Sequence, residues 1–276
     1  IFYIEIPQKV IYIGEKAFHD TIWYNNSYEI PWNNDSILGV QDQIVYIGKV
    51  AYIYIGTGQE QIILRENTAG ISPKAFENQT DITSLYLPIS VSEIGEKAFY
   101  NCNSLTTIYT SGNYVLGSLF GTESYSSSYV AMQGEMSYYV PNSLQNIIII
   151  DSATNITDFA FANLTSLNNV AIPSSVYDIG ESPFKGAYNV QTMTLPGHIV
   201  LGSLFGEEAY PNDEDPESYP AAQNDKTYYI PNNLSTLHIE GGYIANNAYE
   251  NISSLTQVNI SSSVLSIGKY AFAGCS

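Results

Sequence analysis

The sequence predicts a solenoid, in which short parallel strands stack coil upon coil and tight turns line the opposite side. Three observations carry that prediction. A frame of the form Ile-Gly-x-x-Ala-Phe is fullest at Ile94-Gly95-Glu96-Lys97-Ala98-Phe99 and returns around Ile13, Ile71, Ile156, Ile179, Ile244 and Ile267. Three pairs of these isoleucines, Ile71 to Ile94, Ile156 to Ile179 and Ile244 to Ile267, stand 23 residues apart. Most are preceded by an alternating apolar segment that ends seven residues upstream, as Leu85-Tyr86-Leu87 does before Ile94. One coil of this size cannot bury its apolar side alone, so the coils must stack.

The strand comes first in each coil, and the 23-residue period lies inside the range of leucine-rich repeats. Side chains alternate along a strand, so Leu85 and Leu87 point inward while Ser84 and Tyr86 point out. Leu167–Ile172 and Leu255–Ile260 repeat the pattern, and Ile4-Glu5-Ile6 and Ile62-Ile63-Leu64 carry its end. Pro88, Pro173 and Pro196 close strands where a missing N–H does no harm. The Ala-Phe segment is too short for a free helix. One turn of 3₁₀ or α-helix is expected there, stacking Phe18, Phe76, Phe99, Phe161, Phe184 and Phe272 into an aromatic ladder. Gly14, Gly95, Gly180 and Gly268 are expected to serve a tight bend. Cys102 and Cys275 both fall eight residues after a frame isoleucine. Equivalent positions in distant coils cannot meet, so both are expected as core thiols, with Cys102 buried and reduced.

A longer period overlies the short one. Leu116-Gly117-Ser118-Leu119-Phe120-Gly121 returns 85 residues later as Leu201-Gly202-Ser203-Leu204-Phe205-Gly206. Tyr138-Tyr139-Val140-Pro141-Asn142 likewise returns as Tyr228-Tyr229-Ile230-Pro231-Asn232. Between these segments lie insertions near 122–137 and 207–227, expected as loops that bulge from the stack. A third insertion, near 22–58, contains an alternating run about Gly48-Lys49 that predicts a β-hairpin.

Composition narrows the function. Twenty-seven acids against nine Lys and Arg give a net charge of −18, which disfavours nucleic acid and anionic membranes. No apolar run is long enough to span a bilayer, and the N-terminus does not resemble a signal peptide. The chain opens and closes inside repeats, which suggests a piece of a longer protein. His19, His198 and His238 have no spacing that suggests a triad or a metal site, and no phosphate-cradling glycine loop occurs. No catalytic residue, metal ligand or cofactor is expected. The stretch 207–217 carries six acids in eleven residues. It lacks EF-hand spacing and is read as a solvated loop rather than a calcium site.

The outward strand positions are more informative. One column runs Glu5, Ile63, Tyr86, Tyr109, Ile148, Ala171, Thr194, His238, Asn259. Its neighbour runs Tyr3, Gln61, Ser84, Thr107, Asn146, Asn169, Thr192, Thr236, Gln257. Apart from Glu5 and, when protonated, His238, they carry no charge. Two readings fit: a recognition surface, or residues that simply suit a pleated sheet.

The string Val91-Ser92-Glu93-Ile94-Gly95-Glu96-Lys97-Ala98-Phe99-Tyr100-Asn101-Cys102-Asn103-Ser104-Leu105-Thr106 closely resembles the BspA-like class of leucine-rich repeats. The Leu-Gly-Ser-Leu-Phe-Gly and Tyr-Tyr-Ile-Pro-Asn segments resemble a subset found in bacterial surface proteins. The likeness covers the chain outside the three insertions. It implies one right-handed leucine-rich-repeat solenoid over residues 1–276. Short parallel strands would line the concave face, with short helical or 3₁₀ turns and loops on the convex side. It also implies an extracellular or cell-surface place and a non-enzymatic role, adhesion to a host protein or glycan. The alternative is a structural stalk that displays another domain. The family has no shared ligand motif. From the outward columns, Ile63, Tyr86, Tyr109 and Ile148 are the candidate ligand-binding residues, expected as one contiguous stripe.

Overall fold

The structure is a computed structural model and describes residues 6–21, 38–208 and 217–275. The chain forms two compact units. One comprises Ile1–Leu105, Gly117–Val130 and Tyr138–Ser143, the other Thr106–Leu116, Ala131–Ser137 and Leu144–Ser276. Each is built as a parallel-strand β-solenoid of the leucine-rich-repeat type.

In the first unit, strands Gln61–Ile63 and Ser84–Tyr86 pair in parallel, with Ile62 opposite Leu85 and Ile63 opposite Tyr86. Ile62 and Leu85 are fully buried, as alternation requires. A second sheet runs Leu38–Gln41, Ile44–Ile47, Val50–Tyr54, Gly70–Ile71, Glu93–Ile94. Its first three strands are antiparallel, and the frame strands then add in parallel. The hairpin about Gly48 is present, and Gly48 has φ +58°. Val50–Tyr54 is more than a hairpin arm. It pairs with Gly70–Ile71, and the Tyr54 ring stacks on Phe76 at 5.7 Å. Its alternating apolar residues let it act as a coil strand in its own right. Residues 22–37 of that insertion, and Ile4 and Glu5 of the first expected strand, lie outside the described residues.

In the second unit, six strands form a parallel array: Thr107–Thr110, Asn146–Ile149, Asn169–Ala171, Thr192–Pro196, Thr236–Glu240 and Gln257–Ile260. Ile108, Ile147, Val170, Met193 and Leu237 fill its buried side. Two-residue frame strands pair behind it, Asn155–Ile156 with Asp178–Ile179 and Tyr243–Ile244 with Ser266–Ile267.

The Ala-Phe segments are hydrogen-bonded turns rather than the helical turn expected. Lys74, Lys97, Phe159, Asn247 and Tyr270 have positive φ, and so do the residues four further on: Asn78, Asn101, Asn163, Asn251 and Gly274. Two left-handed residues this close break an α-helix. The freed N–H groups bond the next coil instead, Lys74 to Glu96 O, Phe76 to Ala98 O and Asn78 to Tyr100 O at 3.1, 2.8 and 2.8 Å. Among the described residues, 3₁₀ helix occurs at Leu116–Leu119 and Leu201–Leu204, the two Leu-Gly-Ser-Leu segments. The ring stacking holds for Phe76–Phe99 at 4.5 Å and Phe161–Phe184 at 4.9 Å, and Phe272 stacks on Tyr249 at 5.3 Å. Phe18 departs from it and meets Tyr52 at a 58° tilt.

The frame glycines do not serve a bend. A Cβ on Gly95 would lie 2.2 Å from Pro73 N, and one on Gly180 2.5 Å from Asp158 N. Glycine is there because one coil's backbone lies against the next. At Gly14 nothing lies within 4 Å.

The cysteines behave as equivalent positions. Cys102 is fully buried and its thiol donates to Phe76 O at 3.2 Å, while half-buried Cys275 donates to Tyr249 O at 3.0 Å. Each bond reaches 26 residues back, and both cysteines are free. Burial pushes the Cys102 thiol up to about 12.

Where they are described, the insertions near 122–137 and 207–227 form strands rather than the loops expected; residues 209–216 lie outside the described residues. Ser128–Gln133 and Met136–Pro141 occupy the first. In the second, Ser218–Gln223 pairs antiparallel with Lys226–Pro231 through a left-handed Asn224-Asp225 turn. Ala221 and Ile230 are buried, and buried Gln223 anchors the hairpin. It accepts from Gly202 N–H at 2.8 Å and donates to Glu250 O at 2.9 Å. Gly202 itself makes room for Tyr228, whose ring a Cβ would meet at 2.3 Å.

Candidate functional site

The sheet pleat decides where the four candidate residues stand. In the first unit Ile63 and Tyr86 are register partners on the outward face, Ile63 51% exposed and Tyr86 half-buried. In the second unit Tyr109 and Ile148 are register partners, both half-buried. The structure brings the four together as these two pairs, each within its own unit.

The two pairs have different surroundings. Beside Ile63 lies a depression of about 520 Å³ lined by Gln41, Asp42, Arg65 and Glu66 among others. The Arg65 guanidinium sits 3.7 Å from the centre of the Tyr46 ring and donates to Gly48 O at 2.8 Å. Burial lowers its pKa to about 10. The sequence pattern gave no sign of Arg65, because it follows the strand and is placed by a ring from the hairpin.

Beside Tyr109 and Ile148 the face is uncharged. A groove of about 260 Å³ is lined by Thr107, Tyr109, Asn146, Ile148, Asn169, Ala171, Thr192 and Thr194, with Ile147 and Val170 beneath. The amides form a ladder across the strands. Asn146 Nδ2 donates to Thr107 Oγ1 at 3.1 Å, and Asn169 Nδ2 donates to Asn146 Oδ1 at 2.7 Å. Ala171 stands opposite Ile148 on one side and Thr194 on the other, and its small side chain opens the depression. The outward columns contained these residues. The groove follows from a size difference between register partners, which alternation alone does not rank.

A second cleft, of about 510 Å³, lies among Gly180, Glu181, Ser182, Lys185, Ser203, Glu207, Glu208, Lys226 and Tyr228. Lys185 pairs with Glu208 and Lys226 with Glu207. The Lys185 ammonium holds the Glu208 carboxyl below its ordinary range, and Glu207 raises Lys226. The acidic stretch continues into residues 209–216, so the reading of 207–217 as a solvated loop lies largely outside the described residues.

The histidines meet an adjacent residue or the neighbouring coil: His19 Nδ1 lies 2.9 Å from Asp20 Oδ2, His198 Nε2 2.9 Å from Val176 O, and His238 Nδ1 3.3 Å from Asn259 Nδ2. Among the described residues no group of three or more His, Cys, Asp or Glu side chains could hold a metal ion. No helix among them is long and apolar enough to cross a membrane.

Repeated coils with this frame define a class, and sequence comparison names it. The profile of the BspA type leucine rich repeat region matches in six copies, over residues 1–114, 133–206 and 224–276. The chain belongs to that family. A comparison with curated proteins finds no significant match. Among solved structures it is similar to a leucine rich cell surface protein from Faecalibacterium prausnitzii at 19% identity, over 87% of this chain and 66% of that one, with a TM-score of 0.32. It is also similar to the pneumococcal vaccine antigen PcpA, at 14% identity over 86% and 49% of the two chains, TM-score 0.34. A leucine-rich repeat protein from Bacteroides ovatus matches at 17% identity over 87% and 71%, TM-score 0.29. The chain thus spans less than two thirds of the first two. At these scores the likeness adds nothing beyond the family the repeats already show.

Proposed function

We propose that this chain is a non-enzymatic recognition module of a bacterial surface or secreted protein, binding a host protein or glycan through its outward strand face. One observation carries the reading. In a chain of net charge −18, the outward strand positions from Thr107 to Thr194 present hydroxyls, amides, Tyr109 and Ile148, and no ionisable acid or base apart from the tyrosine itself. Charge gathers elsewhere, in the cleft of Lys185, Glu207 and Glu208. Tyrosine suits a contact surface because it combines large area, few rotors and a polar tip.

Replacing Tyr86 and Tyr109 with serine tests the reading. Adhesion to host-matrix proteins and glycans is expected to fall while the melting temperature holds. Undiminished adhesion would sink it. The rival is a stalk that only displays another domain. The coil-to-coil bonding of the turns, such as Phe161 to Pro183 and Tyr249 to Ala271, favours rigidity and gives the stalk its support. A stalk binds nothing on its own, so the same assay separates the two.

A further inference from the structure

We propose that the groove of the second unit binds a neutral, extended β-linked glycan laid across the strands, one sugar to a coil. The inference rests on the recognition role above and names its ligand class. Four parallel strands floor the groove: Thr107–Thr110, Asn146–Ile149, Asn169–Ala171 and Thr192–Pro196. Neighbouring strands lie about 4.8 Å apart, close to the advance per sugar in an extended β-1,4-linked chain. Each sugar of such a ligand meets the same two side-chain columns as the last.

The lining has the chemistry that sugar hydroxyls require. Thr107, Asn146 and Asn169 are already joined to one another across the strands. Their rotamers are fixed before a ligand arrives, which lowers the ordering cost of binding. Amide and hydroxyl groups both donate and accept, so they match adjacent sugar hydroxyls in either sense. Tyr109 supplies an aromatic ring for the C–H face of a pyranose. Ala171, between Ile148 and Thr194, leaves the volume a ring occupies.

Two alternatives fit less well. Protein interfaces centre on an apolar, desolvated core, whereas an amide ladder crosses this groove. Sulfated or carboxylated glycans need cations, and no Lys or Arg lines it.

The test is calorimetric titration of the chain with cello-, manno- and chito-oligosaccharides of increasing length. Affinity is expected to rise with each sugar and level off at about four, one for each strand. It is expected to change little with salt, because no ion pair forms. Asn169→Asp keeps the shape of an exposed side chain and adds charge; Tyr109→Ala removes the ring. Each is expected to weaken binding by about tenfold or more, with the circular dichroism of Asn169→Asp unchanged and its melting lowered only by the loss of the exposed bond to Asn146 Oδ1. Absence of binding across the panel, or binding indifferent to both substitutions, would overturn the proposal. If a protein partner binds and these variants abolish it while no oligosaccharide binds, the recognition role stands and the glycan assignment falls. If nothing binds, both fall.

Discussion

The turn side and the strand face of the same coils obey opposite rules. On the turn side, backbone lies against backbone: Gly95 packs on Pro73, Gly180 on Asp158, and the Cys102 thiol reaches a carbonyl of the previous coil. On the strand face the outward side chains meet their neighbours and then solvent, so Tyr109, Ile148 and Ala171 can differ freely in size. Structural identity is therefore enforced on one side, and the other is left to vary. A recognition surface belongs on the side where variation is tolerated.

Substitution can break that contrast. Phe99→Ala is expected to have the largest effect, about 3–5 kcal/mol of lost stability, because the ring is fully buried and stacked on Phe76. Urea unfolding measures it, and a smaller loss than for Tyr86→Ser would reverse the contrast. Next comes glycine. Gly180→Ala forces a Cβ against the Asp158 backbone and is expected to cost about 1–3 kcal/mol. Gly14→Ala, with open space, is expected to stay within about 0.5 kcal/mol. Similar melting shifts in both would mean the close approach is not what selects glycine.

Alkaline pH gives a third measure. The Cys102 thiol ionises near 9.0 when unfolded and is pushed up to about 12 when folded. A raised pKa contributes stability below the unfolded value, and that contribution is lost as pH rises from about 9 to about 12. The slope is at most about 1.4 kcal/mol per pH unit. Half-buried Tyr114 and buried Tyr249, both raised by desolvation, add to the decline above pH 10.0. Denaturant midpoints across this range should fall, and Cys102→Ala should flatten the first part. The smallest effect is expected for Tyr86→Ser and Tyr109→Ser together, under about 1 kcal/mol of stability. A larger loss would mean their work is packing in the sheet.

Much of this was legible in the sequence because it is periodic. The strand alternation of Leu85 and Leu87, the stacking of Phe76 on Phe99, and the burial of Cys102 all follow from position in the coil. What escaped depends on contacts between coils. Nothing local to Gly95 distinguishes a bend from a close approach, since the reason is Pro73. The left-handed pairs such as Lys74 and Asn78 were hidden because lysine gives no hint of positive φ. The hairpin at Ser218–Pro231 did leave a signal, an alternating run either side of Asn224-Asp225, masked by the acids and prolines before it. For the site, the columns could be read but the groove could not, because Ala171 matters only beside its register partners.

The sequence distance between bonded residues has a kinetic consequence. Asn101 bonds Asn78, and Asn169 bonds Asn146, across 23 residues each. Where a hairpin intervenes the span lengthens to 39 for Asn146 with Thr107 and 44 for Asn233 with Asn189. Such local contacts favour fast folding that spreads from one coil to its neighbour. Each doubling of the closed loop adds only about 0.6 kcal/mol, so the lengthened spans are delays rather than barriers. Pulsed hydrogen exchange should show Asn169–Ala171 protected together with Asn146–Ile149, and Thr236–Glu240 acquiring protection after Thr192–Pro196. Simultaneous protection of all four would show that the hairpin at Ser218–Pro231 forms first and hands its neighbours a loop already closed.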